Sequence, residues 1–466
     1  MASKHTLDGL IKWSLRDDWS DRFEQVLAEH LMPACEETGL ESDDVVATMG
    51  EDLFMSTVWA CAFEDFLTRE FEDGENAIDD YLRRRGWKES ASVRRYMAAL
   101  RNSTMSLHEV SDVVPGTSFR ARDLIRGGEP VLISERSATR SLKPWEHVAA
   151  RVVRVDSKMQ IGGGLLVFEH GTTATCIEAL GRFESLSNDE MRQLAEANGD
   201  DFDDAAFPEL SPEERRRAIG PMLTSFWLVN AIGKILAPRP DLRNADGDEF
   251  VLCEVRYPFA ARTTAKDIRA ALNASPQFRQ MSATTWNWIS QDNPAAASRA
   301  DERSLIVETW NEDGTLVLGG IALKNKALVL SVNSRQRSDL GRALLSEILG
   351  QRVSQHSVKT QSVEQIMASR EVAEPRQLAI PEEELCAIIH NQMDRHYRTV
   401  LDEPIPALGG KTPRAAVKTQ GGRVKVAEWL KMMENQTAKS GDHDSPMASY
   451  SFIWLWTELG ISELRR

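Results

Sequence analysis

The chain has 466 residues, too many for one ordinary hydrophobic core, so several domains are expected. Hydrophobic residues make up 42% and charged residues 27%, a globular balance that excludes a disordered chain. Fifty-six Lys and Arg against 71 Asp and Glu leave a net charge of −15, which excludes broad, non-specific nucleic-acid binding and leaves room only for a local basic patch.

At the N-terminus, Asp8, Arg16, Asp17 and Asp18 break up any apolar run, so no signal peptide is expected. Nor is a membrane span: the nearest candidate, Met222 to Leu236, is interrupted by Asn230, Gly233 and Lys234. The five cysteines, Cys35, Cys61, Cys176, Cys253 and Cys386, are odd in number and form no CxxC. A reducing, cytoplasmic setting is therefore expected.

Residues 1–102 read as a helical domain. Trp59, Phe63, Phe66 and Leu67 fall at helical spacing, Ser90 or Ser92 starts a further helix carrying Tyr96 and Leu100, and Trp87 after Gly86 is expected to pack at the turn between. Residues 103–175 read as a small β-rich domain. Short runs at Leu107–Val114, Pro130–Ser134, Val148–Val155 and Leu165–Phe168, separated by turn signals, suggest a small barrel or sandwich. Gly162-Gly163-Gly164 is not a phosphate loop: it lacks the Gly-Lys-Ser/Thr ending and precedes a strand.

Residues 176–247 read as a helical connection, with the acidic stretch Glu196–Asp204 as a solvated link. Ser211-Pro212-Glu213-Glu214 starts a helix that Gly220-Pro221 should kink or break. Residues 248–350 read as an α+β domain. Phe250–Tyr257 is a strand, and Leu305–Trp310, Leu316–Ala322 and Leu328–Val332 form a meander whose first turn is Asp313-Gly314. A helix carrying Leu340, Leu344 and Ile348 follows and is closed by Gly350. Residues 351–380 read as a polar linker, and 381–466 as a helical C-terminal module. The expected fold class is thus α+β and multidomain.

No Walker, nucleophile-elbow, HExxH or dinucleotide fingerprint is present. Cys386, His390 and Asp394 share one helix face, but helical rise separates the first from the third too far for one metal, so no metal and no cofactor is expected. Asn333-Ser-Arg-Gln-Arg337 could meet an anion at a helix start, although an ordinary strand-to-helix turn explains it better.

The segment from Leu401 to Arg414 carries the most information. Pro404 and Pro406 set an extended entry, Gly409-Gly410 permits a tight turn, and Thr412-Pro413 caps and opens a helix. A second helix follows Gly421-Gly422, with Val426, Trp429, Leu430 and Met433 on one face. From Ile405 to Ala427 there are five Lys or Arg and no Asp or Glu, a basic island in an acidic chain.

Pro406-Ala-Leu-Gly-Gly410 with Thr412-Pro413, Gly422 and an apolar helix resembles the C-terminal toxin-binding segment of Xre/MbcA/ParS-type antitoxins, over roughly residues 390–435. Leu107–Glu135 and Leu316–Leu345 resemble uncharacterised bacterial proteins, some of which carry a zinc-binding SEC-C tail that this chain lacks. The antitoxin resemblance implies a protein-contact surface at Pro406, Leu408, Gly409, Gly410, Lys411, Thr412, Pro413, Arg414 and Arg423, with a protein partner, conceivably a toxin. The leading expectation is a non-enzymatic protein-interaction or regulatory protein, with no membrane partner and homo-oligomerisation left open. Nucleic-acid binding through the β-rich domain and the basic island is the alternative, followed by an enzyme whose site forms only in three dimensions.

Overall fold

The computed structural model describes residues 7–198, 211–238, 241–291, 304–311, 313–365, 382–440 and 445–465. The chain forms two compact units, Met1–Ala237 with Ala379–Arg466, and Pro238–Leu378. The fold class is α+β, with helical regions, a small barrel and a separate mixed sheet.

The first unit is built around the barrel. Its strands are β1 (Met105–Val114), β2 (Ser118–Asp123), β3 (Val131–Ser134), β4 (His147–Val155) and β5 (Lys158–Phe168), closed in the order β1-β2-β3-β5-β4. The β3–β5 pair is parallel, and β1–β4 and β4–β5 are antiparallel. This is the connectivity of the five-stranded OB barrel, with a short 3-10 turn at Ala138–Arg140 between β3 and β4. Its interior is filled by Val110, Phe119, Ala121, Ile133, Leu142 and Val148. In β2, inward Phe119 and Ala121 alternate with Arg120 and Arg122, a period-two signal that the arginines obscure in the sequence.

Outward-facing Met105, Leu107, Ala149, Leu166 and Phe168 pack against Cys61, Cys176, Leu180, Ile219 and Leu223 of the surrounding helices. The three glycines lie inside β5, not ahead of a strand. They admit the Ala60–Thr68 helix at close range. A Cβ on Gly164 would lie 2.9 Å from the Cys61 backbone nitrogen, and one on Gly162 would overlap the Glu64 carboxylate. Glu64, buried, accepts the Gly163 N–H.

Ser211 and Glu214 form the expected capping box. The helix then runs unbroken from Pro212 to Leu236, through Pro221. The proline ring removes the backbone donor that the Arg217 carbonyl would otherwise use, and one turn on the Thr224 hydroxyl donates back to the Gly220 carbonyl at 3.0 Å. Within it, Arg217–Leu236 is long and apolar enough to cross a membrane. Here it is a packing element: Ile219, Leu223, Leu228 and Ile232 are buried among the barrel's outer face and the N-terminal helices. Most of the acidic stretch Glu196–Asp204 lies outside the described residues.

In the N-terminal helices, Phe63, Phe66 and Leu67 are buried, Trp59 stacks on Phe63, and Ser90 caps the Ala91–Arg101 helix. Trp87 departs from expectation. It does not pack at the turn but stands 73% exposed, because the 3-10 turn Gly86–Lys88 directs it away from the core that Tyr81, Val93 and Tyr96 fill.

The second unit carries a seven-stranded sheet ordered β14-β7-β13-β12-β9-β8, with β11 paired to β12. The strands are β7 (Leu252–Pro258), β8 (Phe278–Gln280), β9 (Thr285–Ile289), β11 (Thr309–Trp310), β12 (Leu316–Lys324), β13 (Ala327–Val332) and β14 (Ser357–Gln361). A separate parallel pair joins β6 (Asp241–Arg243) to β10 (Ser304–Ile306). Gly314, at positive φ, turns the β11–β12 hairpin, and Asn325-Lys326, both at positive φ, turn β12 into β13. The Ala265–Asn273 and Arg335–Leu349 helices cover the apolar face of the sheet.

Of the expected residues of the Arg335–Leu349 helix, Leu344 and Ile348 pack against the core beside the fully buried Leu345 and Leu349, whereas Leu340 is 63% exposed. β14 lies in the expected linker and pairs with β7, and residues 366–381 lie outside the described part. At the Asn333–Arg337 turn, Ser334 caps the helix. Arg337, 1% exposed, is consumed by Glu308 (2.9 Å), Asp246 (2.6 Å) and Asn333 (3.1 Å). That turn is an internal ion-pair lock and presents no arginine pair to an external anion.

Candidate functional site

The C-terminal module is built from the Glu382–Val400, Pro413–Ala416, Gln420–Lys439 and Ile453–Glu458 helices around Leu401, Leu408, Val426, Leu430, Phe452, Leu455 and Trp456. Its entry turn is held by its backbone. Ile405 N–H donates to the Lys411 carbonyl, and Gly410 N–H to the Ile405 carbonyl, at 3.1 and 3.0 Å. Gly409 and Gly410 sit at φ 69° and 74°, a left-handed conformation that L side chains rarely adopt. Thr412 accepts the Ala415 N–H and Thr419 the Gly422 N–H, so both following helices start on side-chain caps. A Cβ on Gly410 would meet no neighbour within 4 Å, so the cost of Gly410→Val is set by its positive φ. We expect a loss of about 1–2 kcal/mol, read as faster hydrogen exchange in residues 401–440 with the barrel unchanged. Equal exchange in both proteins would refute it.

The sequence-predicted residues divide into three groups. Leu408 and Pro413 are buried and serve the module's own core. Arg414 pairs with Glu458 (2.9 Å) and Asp402 (3.3 Å), and Arg423 with Glu463 and the Gly460 carbonyl. These two arginines are neutralised within the module. Pro406, Gly409, Gly410 and Lys411 are exposed, and Thr412 is half-buried. Lys411, Lys418 and Lys425 are exposed and have no carboxylate in ion-pair range among the described residues. The free charge of the basic island is therefore carried by these lysines. Val424, 50% exposed, lies beside them in sequence.

The opposite face of the Gln420–Lys439 helix is docked on the barrel, which sequence reasoning missed. Lys431 Nζ meets both oxygens of Glu109 on β1 at 2.9 Å, and both side chains are 2% exposed. Burial would raise the Glu109 carboxyl, but His147, Lys431 and Arg122 outweigh it and hold it at about 2. Glu434 accepts the indole N–H groups of Trp145 (2.7 Å) and Trp456 and pairs with Arg465 (3.2 Å). Asn435 donates to the Pro144 carbonyl at 2.8 Å, and Lys439 pairs with Glu146 at 3.0 Å. A buried Lys in a helical stripe is indistinguishable in sequence from a solvated one, so no signal marked this contact.

Cys386, His390 and Asp394 form no metal set; among the described residues no cluster of three such ligands occurs. His390 hydrogen-bonds with the Pro446 carbonyl (2.8 Å), and Asp394 accepts the Tyr450 hydroxyl (2.7 Å).

Two polar cavities bear on catalysis. One, of about 200 Å³, is lined by Asp65, Arg69, Arg101, Ser103, Arg151 and Arg217. Its charges are engaged. Arg151 reaches Asp65 (2.6 Å) and the Ser103 carbonyl, Arg69 reaches Glu29 (2.7 Å) and Asp65 (3.0 Å), and Arg101 reaches Glu70 and Asp79. Burial raises the Asp65 carboxyl, but His30, 3.6 Å away, and the guanidinium groups of Arg151 and Arg69 outweigh it and hold it far below the usual range. The other cavity, of about 290 Å³ at the barrel end, is lined by His108, Asp123, Arg126 and Met159. His108 Nε2 lies 3.9 Å from Asp123, and Ser106 donates to Asp123 at 2.7 Å. Burial pushes the His108 pKa down, so the imidazole is neutral near pH 7. The Ser106 hydroxyl is thus hydrogen-bonded to the acid of this cluster. The outward residues of β2 and β3, Arg120, Arg122, Leu132 and Ser134, include no aromatic ring on which a base could stack.

No family model, curated protein or solved structure matches this chain.

Proposed function

We propose that this chain is a non-enzymatic protein-interaction protein. Its C-terminal module, docked on the barrel through one face, captures an acidic partner protein with the other. The antitoxin-like segment suggests a toxin as that partner. The observation that carries this reading is the division of the basic island. Arg414 and Arg423 are spent on internal carboxylates, while Lys411, Lys418 and Lys425 stay exposed without such a partner around a backbone-locked turn. A preformed turn lowers the ordering cost of binding, and unpaired lysines steer an acidic surface toward it. All five cysteines are free, which supports a cytoplasmic, reducing setting.

The test is affinity capture from the native host, using wild type and Lys411→Glu/Lys418→Glu/Lys425→Glu, followed by reconstitution with the purified partner. A defined protein that binds wild type in stoichiometric amount should be lost from the triple variant, and Arg414→Gln should retain it. Identical recoveries by wild type and triple variant would overturn the reading.

A further inference from the structure

A second basic surface lies at the N-terminal corner of the first unit, far along the chain from the C-terminal turn. The sequence there is Arg83-Arg-Arg-Gly-Trp-Lys88. The Asp8–Ser14 helix packs against the Ala77–Arg85 helix and brings Arg16 into the same corner. Three guanidinium groups converge on one indole: Arg16, Arg85 and Arg84 lie 3.7, 5.9 and 6.0 Å from the Trp13 ring centre. Lys88 sits 5.2 Å from the ring of Trp87, which is 73% exposed.

Several neighbouring carboxylates are engaged within the corner. Asp80 holds Arg83 and Arg84, Glu75 holds Arg83, and Glu89 accepts the Tyr81 hydroxyl. Arg16, Arg85, Lys88 and Arg94 have no carboxylate in ion-pair range among the described residues. The result is a concentrated positive spot, with one protruding aromatic face, on a chain of charge −15.

We infer that this corner binds single-stranded nucleic acid, with Trp87 stacking on a base and Arg16, Arg85 and Lys88 receiving the flanking phosphates. Guanidinium groups meet phosphate oxygens in a bidentate fork, and an exposed indole stacks on any base. A membrane surface fits less well. It requires a helix with an apolar face to insert, and the Asp8–Ser14 helix has already buried Leu10 and Trp13 in the core. The inference is independent of the partner-binding proposal, because it uses no residue of the C-terminal module.

The test is fluorescence anisotropy of a labelled twelve-residue oligothymidylate with the full chain at low salt. Trp87→Ala should weaken binding about tenfold. Arg16→Glu/Arg85→Glu should abolish it, whereas Lys411→Glu/Lys418→Glu/Lys425→Glu should leave it unchanged. Trp87 is exposed, so its variant should keep the wild-type melting curve, and a variant that fails this control is replaced by Trp87→Gln. No binding by wild type, or wild-type affinity in the Trp87 and arginine variants, would overturn the inference. So would equally effective competition by polyglutamate, which would mark a site for acidic protein. Trp87-dependent sedimentation with phosphatidylserine vesicles without oligonucleotide binding would replace it with a membrane role.

Discussion

Glu109→Gln is expected to detach the C-terminal module from the barrel, at a cost on the order of 3–5 kcal/mol. The carboxylate joins three groups, Lys431 at 2.9 Å, Arg122 at 2.8 Å and His147 at 3.8 Å, and the Trp145 ring centre lies 4.9 Å from the same ammonium. Removing its charge strands an ammonium that is 2% exposed and has, among the described residues, only Glu428, at 3.7 Å, as a further carboxylate partner. Lys431→Met should cost less, because Arg122 still neutralises the carboxylate. Lys431→Met with Glu109→Leu should recover much of the loss, since apolar groups of similar volume replace a buried pair with little penalty. Arg122, about one-third exposed, can turn to solvent. Hydrogen exchange across Gln420–Lys439 reads the effect directly and does not assume that the whole chain unfolds in one step. Exchange in Glu109→Gln equal to wild type would refute it. The ordering is equally exposed to test: a Lys431→Met variant looser than Glu109→Gln would mean that the lysine matters through packing and not through charge.

The same contact explains what was legible in the sequence and what was not. Strands bounded by strong turn chemistry could be read: Asp313-Gly314 closes the β11–β12 hairpin, and Pro115-Gly116 ends β1. The Ser211 capping box and the Thr412-Pro413 helix start were equally visible, because caps are local chemistry. β2 was missed because its outward arginines hide a two-residue period, and β14 because its polar residues lie at the sheet edge. The turn at Gly409-Gly410 was legible, but its charges were not. Whether Arg414 and Arg423 are free depends on Asp402, Glu458 and Glu463, and those pairings exist only after folding. Trp87 likewise shared the helical neighbourhood of Tyr81 and Tyr96, yet a single 3-10 turn placed it outside. Local signals set elements and caps, whereas the identity of free and spent side chains is decided by contacts between distant segments.

The β5 glycines give the second large effect. Gly164→Val is expected to destabilise the first unit by about 3 kcal/mol, at the upper end of overpacking costs. A Cβ there would stand 2.7 Å from Cys61 Sγ, 2.9 Å from the Cys61 nitrogen and 3.0 Å from its Cα. Two of these atoms are helical backbone, in the first turn of the Ala60–Thr68 helix, so relief requires moving that helix and not one side chain. That helix also carries Asp65, bound to Arg151 on β4, and Glu64, bound to the Gly163 N–H. Displacing it would stretch a buried ion pair and leave the Glu64 carboxyl without its donor, so the strain cannot be confined to one side chain. Gly163→Ala is the internal control. The nearest atom to its Cβ is Glu64 Oε1 at 3.6 Å, an ordinary contact, and its cost should be well under 1 kcal/mol by comparison. Thermal melting of the two variants should therefore separate them clearly, with Gly164→Val lower. Similar midpoints would mean that the helix and β5 are not in close contact, and that the triple glycine serves some purpose other than close approach.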